Sequence, residues 1–152
     1  MIKKTLVVND DTVSLLIACK MISKAQFANE TVTAKDGEAA LAYFENVVSK
    51  GKEHFDDAPE FIFLDMYMPI MNGWDFLEVF SKKYAAIFLR VKIAVLSSSV
   101  DPGDLMRLEK YGVVMASVST PISMEKLNLV KDIYLGQLHT GLFITNHEAY
   151  LN

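Results

Sequence analysis

Five short apolar runs, near residues 4 to 8, 30 to 34, 60 to 65, 91 to 97 and 113 to 118, are separated by stretches long enough for a helix. Runs that are apolar without alternation read as strands buried on both faces, and their alternation with helix-length segments predicts βα units feeding a parallel sheet. Helices are predicted near 12 to 26, 37 to 50, 73 to 86, 102 to 111 and 123 to 135. In the third, Phe76, Phe80 and Tyr84 recur every fourth residue, so three rings share one side and are expected to face the core. Punctuation residues mark several ends. Asp36 precedes Gly37 at a helix start, Asp101-Pro102 supplies a cap and a first-turn proline, and Gly112 stands where a left-handed residue is expected after the fourth helix. The polar segment Gly51 to Pro59 reads as a surface insertion between the second helix and third strand.

Half of the 152 residues are apolar, enough for one sizeable core and too few residues for two. One domain over residues 1–138 is expected, with 139–152 a C-terminal tail that packs back on the body or meets a partner, and no separate output domain. The net charge of -4 shows no basic face, so direct nucleic-acid binding is not expected. Cys19 is alone, so no internal disulfide is available, which fits a reducing, cytoplasmic setting. No stretch approaches the ~20 apolar residues of a membrane span. His54, His139 and His147 show no metal spacing and read as solvated surface residues.

The chemistry begins at Asp65, which ends the apolar run Phe61-Ile62-Phe63-Leu64. A carboxylate at the C-terminal end of a buried strand is lifted into the crevice where open α/β sheets bind ligands. Asn9-Asp10-Asp11 repeats the arrangement after the run Thr5 to Val8. Two carboxylates converging from two strand ends form a hard-cation site of the kind that holds Mg2+, and the first and third strands must then be neighbours. The expected fold is therefore a doubly wound five-stranded parallel sheet in the flavodoxin-like order 2-1-3-4-5, with helices on both faces.

From about Lys3 to Leu135 the chain resembles the receiver domain of two-component response regulators. The resemblance is carried by Asn9-Asp10-Asp11, the stretch Ala34 to Ala40, the block Asp65 to Gly73 with its Met68-Pro69, then Leu96-Ser97-Ser98-Ser99 and Thr120-Pro121, in that order. It implies that Asp65 is a phosphoacceptor, receiving a phosphoryl group from a histidine kinase or phosphotransfer protein as an aspartyl phosphate. It also implies Mg2+ held by Asp10, Asp65 and the backbone carbonyl of Tyr67, with Asn9 contributing through a water, and Ser97 as the switch hydroxyl. The Thr120-Pro121 peptide is expected to be cis. Signalling is expected through a downstream protein on the face of the fourth helix, fifth strand and fifth helix, with homodimer formation open.

Three positions depart from the family pattern. Asn9 replaces the first acid of the pair, Thr120 stands at the usual lysine position, and Ser117 stands at the aromatic switch position. The site keeps the usual formal charge of -2 but lacks a fixed ammonium on the far side of the phosphoryl group. Trp74, at the start of the third helix, is read as packing, with partner contact the alternative. The functional expectation is a stand-alone receiver that signals by protein interaction and is not an enzyme beyond self-phosphorylation and self-dephosphorylation. The alternatives are a phosphorylation-independent pseudo-receiver, which the three departures favour, and an aspartyl-phosphate-forming phosphatase. The last is weakened because such enzymes place a second acid two residues after the nucleophile, where this chain has Tyr67.

Overall fold

The computed structural model describes residues 2–98 and 101–136, together with the backbone of two short strands at 142–144 and 149–151. Strands β1 (Ile2–Val8), β2 (Ala28–Ala34), β3 (Phe61–Asp65), β4 (Lys92–Ser97) and β5 (Val114–Ser119) alternate with helices α1 (Thr12–Lys24), α2 (Gly37–Ser49), α3 (Gly73–Lys83), α4 (Pro102–Leu108) and α5 (Met124–Tyr134). The five strands pair in parallel in the order 2-1-3-4-5, as expected. Two further strands, β6 (Leu142–Ile144) and β7 (Ala149–Leu151), extend the sheet beyond β5, β6 parallel to it and β7 antiparallel to β6.

The pleat divides the core into two layers, because successive strand residues point to opposite faces. Leu6, Val8, Ile62, Leu64, Ile93 and Val95 face α2, α3 and α4, where Phe44, Phe80, Tyr84 and Phe88 pack edge to face and tilted and Phe76 stacks on Phe80. Val7, Phe61, Phe63, Ala94, Leu96, Ala116 and Val118 face α1 and α5, against Ile22, Phe27, Leu127 and Val130. The Phe76, Phe80, Tyr84 stripe is thus core on one helix face.

Helix ends follow their caps. Asp36 and Asp101 N-cap α2 and α4 by accepting from Ala39 N–H and Gly103 N–H, and Pro102 opens α4. Gly112 departs from expectation. Left-handed glycines among the described residues are Gly51 and Gly136, and α4 closes at Leu108 with a right-handed cap at Glu109. The polar insertion forms a 3-10 turn over Lys52–Asp57, from which Phe55 packs on Phe88.

At the end of the sheet remote from Asp65, Tyr134 packs edge to face on Phe61 and donates to the carbonyl of Arg90 at 3.1 Å, with a longer contact to that of Glu60. Burial, followed by the charge of Glu60, pushes its phenol up to about 12.

Candidate functional site

Asp65 is the last residue of β3, pairs with Leu96 of β4, and leaves the sheet where β1 also ends at Val8. A cavity of about 460 Å3 opens there. It is lined by Asn9, Asp10, Asp65, Tyr67, Ser97 and Thr120, every site residue expected from the sequence, together with the apolar walls Ile17, Ala18, Leu96 and Ile122. Two loops from neighbouring strands supply the carboxylates, and the ends of β4 and β5 supply the hydroxyls.

Asp65 is half-buried, and burial raises its carboxyl above the ordinary aspartate value, with the charge of Asp10 adding to the rise. Its Oδ1 accepts from the Tyr67 N–H at 3.1 Å, which opposes that rise and fixes the carboxylate's orientation. The repulsion that Asp10 exerts on the ionised form of Asp65 is what a divalent cation relieves.

The donor set suits Mg2+, which is usually bound by one or two carboxylates and otherwise by carbonyls and water. Among the described residues no three His, Cys, Asp or Glu side chains converge. Asp11 explains why: its carboxylate N-caps α1, accepting from Ser14 N–H at 3.1 Å and Ser14 Oγ at 2.6 Å. The Ser14 hydroxyl, above all, holds that carboxyl below the usual range. Asn9 has its Oδ1 engaged by the Asp11 N–H at 2.9 Å, in a local turn that shapes the loop. Asp10 is the residue of this loop left to meet Asp65.

The β3–α3 loop closes tightly on itself. Gly73 N–H bonds the Met66 carbonyl at 3.1 Å, and a Cβ at Gly73 would lie 2.5 to 3.0 Å from Met66 and the Asp65 carbonyl. Asn72 and Asp75 form a capping box that starts α3 at this point. Within the loop, Met71 N–H bonds the Pro69 carbonyl at 2.7 Å around Ile70, whose φ is +67°. Such a three-residue turn is strained, more so with a β-branched residue at its centre. Gly37, at the start of α2, packs on this loop through its N–H to the Met71 carbonyl, where a side chain would meet Met71 at 2.9 Å.

Across the site, Thr120 N–H bonds the Ser97 carbonyl at 2.9 Å, joining the ends of β4 and β5, and the Thr120-Pro121 peptide is cis, as expected. Among the described residues, no basic side chain lines the cavity. Ser117 is buried beside β4 and borders a small void of about 20 Å3, together with Ser97, Trp74, Leu105 and Leu108. That is room for about one water and none for a ring.

Trp74 packs at the edge of the core under the Arg107 guanidinium, 4.0 Å from the ring centroid, and so bridges α3 to α4. A second bridge between these segments runs from Tyr111 Oη to Glu78 at 3.0 Å. Of the histidines, His54 pairs with Asp57 at the surface, while His139 and His147 lie outside the described residues, as does Ser99. Sequence reading missed Lys126, a buried lysine at the start of α5. Its signal would have been a cation in the first turn of a helix, immediately before the apolar Leu127.

No protein-family model matches this chain, and no curated protein does. Solved structures match over nearly its whole length. A two-component response regulator from Cytophaga hutchinsonii is 25% identical, with 88% of this chain and 97% of that one covered and a TM-score of 0.77. The bacteriophytochrome response regulator AtBRR is 28% identical over 91% of this chain and 95% of its own, with a TM-score of 0.69. The bacteriophytochrome response regulator RtBRR is 25% identical over 90% and 79%, at 0.67. The fold is that of a response-regulator receiver domain.

Proposed function

We propose that this chain is a phosphoacceptor receiver of a two-component system, taking a phosphoryl group on Asp65 from a histidine kinase or phosphotransfer protein and signalling by binding another protein. The observation that carries this reading is the shared cavity: a half-buried carboxylate at a strand end, beside a second carboxylate and two hydroxyls. Asp10, Asp65, the Tyr67 carbonyl and, through water, Asn9 would hold Mg2+, which when bound neutralises charge on the incoming phosphoryl oxygens. A carboxylate oxygen of Asp65 forms the new O–P bond while the P–N bond of the donor phosphohistidine breaks and the imidazole leaves. Tyr67 N–H holds the nucleophile, and Ser97 and Thr120, which line the same cavity, would donate their hydroxyls to phosphoryl oxygens. Cytoplasmic location follows from this partnership, and among the described residues no helix is long and apolar enough to cross a membrane.

The downstream contact is assigned to α4, β5 and α5. Because β6 already pairs along β5, a partner meets the helices there and not an open strand edge.

A second reading, a receiver fold whose partner binding is independent of phosphate, is favoured by Thr120 at the usual lysine position and by the absence, among the described residues, of a basic side chain lining the cavity. Intact-mass spectrometry after incubation with acetyl phosphate and Mg2+ separates the two. One added phosphoryl group on the wild type, absent from Asp65→Asn, is expected. A wild type that stays unmodified by small donors and by a phosphorylated histidine donor supports the phosphate-independent module instead.

A further inference from the structure

Lys126 is the third residue of α5 and is only 8% exposed. Both features are unfavourable for a cation in themselves. Burial strips water from the ammonium, and the first turn of a helix already carries partial positive charge from unpaired N–H groups. Something local must therefore offset these costs. Nζ donates to the Ser119 carbonyl at 2.8 Å, to Ser119 Oγ at 3.1 Å and to the Pro121 carbonyl at 2.9 Å. The two carbonyls are those on either side of Thr120, the cavity-lining residue whose own N–H is held by Ser97. Ser123, the N-cap of α5, accepts from the Lys126 N–H at 3.3 Å, so the backbone that carries the lysine is anchored to the same connection.

The ammonium does not line the cavity; it lies behind the segment that does. We propose that Lys126 is a positioning residue for phosphoryl transfer, gripping the carbonyls that flank Thr120 so that the Thr120 hydroxyl is presented to the cavity beside Asp65. A three-donor head suits this task, because it can hold several carbonyls at once where a neutral side chain of the same length holds none. The inference rests on the phosphoacceptor reading for its consequence, but its geometric content concerns the β5–α5 connection alone.

The test compares the full chain with Lys126→Met, using acetyl phosphate as donor. The phosphorylation rate constant should fall about tenfold while the Mg2+ midpoint stays put, since no metal ligand lies on this connection. Exchange of the Thr120 amide hydrogen, followed by NMR, should quicken by about tenfold as its bond to Ser97 loosens. In a Thr120→Ala background the methionine substitution should change the rate by less than about twofold, the non-additivity of a residue acting through another. A variant that melts earlier yet keeps the wild-type rate and Thr120 protection would overturn the proposal, as would equal losses in both backgrounds. Should Lys126→Met fail to fold, Lys126→Gln is expected to show the same two changes in smaller measure, and wild-type behaviour would overturn it. If the wild type accepts no phosphate, the phosphoacceptor reading fails, and Thr120 exchange alone then decides: faster in the variant sustains the positioning role, unchanged refutes it.

Discussion

Asp65 joins stability to chemistry in one side chain. Its carboxyl is raised by burial and by Asp10, so between the ordinary aspartate value and the raised one the native state binds more protons than the unfolded chain. Stability from this group is therefore present at low pH and lost as pH rises through the folded value. Asp65→Asn, which cannot ionise, should melt higher than wild type at neutral pH, and the gain should vanish below the ordinary aspartate range. Equal melting of the two proteins across pH 3 to 8, in metal-free buffer, would show that the carboxylate carries no such cost. Ile70 stores strain of a different kind. It holds φ at +67° while 78% exposed, so its left-handed backbone is not repaid by packing. Asn at this position should stabilise the chain by roughly 1 kcal/mol, read by urea unfolding at constant m-value. The acids and hydroxyls of the site were legible because each follows directly on an apolar strand. The pairing of Asp11 with Ser14 and the backbone strain at Ile70 were not, since both depend on local angles that neither periodicity nor composition encodes.

At the level of elements, the loop from Asp65 to Gly73 shows why a short motif needs its glycine. The chain turns back so closely at Gly73 that a Cβ would fall 2.7 Å from the Met66 Cα and 3.0 Å from the Asp65 carbonyl, both main-chain atoms that cannot swing aside. Gly73→Ala is expected to cost about 1 to 3 kcal/mol, as overpacking does, and to displace Asp65 and so slow phosphorylation. A mutant with wild-type stability and wild-type rate would mean that the loop relaxes freely. Strands β1, β3, β4 and β5 were readable from their apolar runs because they lie inside the sheet and are largely buried, whereas β2, at the sheet edge, is exposed or partly buried along most of its length and carries Glu30, Thr31 and Thr33. Helix ends were read less well. Gly112 followed a helix as a left-handed cap would, but α4 stops four residues earlier and Gly112 keeps ordinary backbone angles. The 3-10 turn over Lys52–Asp57 and the short strands β6 and β7 carry too few residues for a period to register.

Across the whole chain, the order 2-1-3-4-5 brings β1 and β3 side by side, so that residues 55 positions apart in sequence, Asp10 and Asp65, share one cavity. Metal binding at that junction should couple to global stability, because the ligands come together only when the sheet is formed. A ligand at one hundred times its dissociation constant stabilises a protein by about 2.7 kcal/mol, and each kcal/mol raises the melting temperature of a chain this size by about 2 to 4 °C. Saturating Mg2+ should therefore raise the melting temperature by several degrees, less so as pH falls and Asp65 takes up its proton. Asp10→Ala should abolish the shift, and Asn9→Asp should enlarge it by adding a carboxylate. Thr120→Lys should shrink it, since an ammonium offsets the charge that attracts the dication, while raising the phosphorylation rate by about tenfold through a charge-assisted contact worth ~1.4 kcal/mol. The double mutant Asn9→Asp with Thr120→Lys should then exceed either single change in phosphorylation at limiting Mg2+, because the added acid restores the metal affinity that the lysine weakens. Wild type and all these variants melting alike with and without millimolar Mg2+ would break the link between metal, charge and fold, and would leave the partner-binding reading as the one consistent with the cavity.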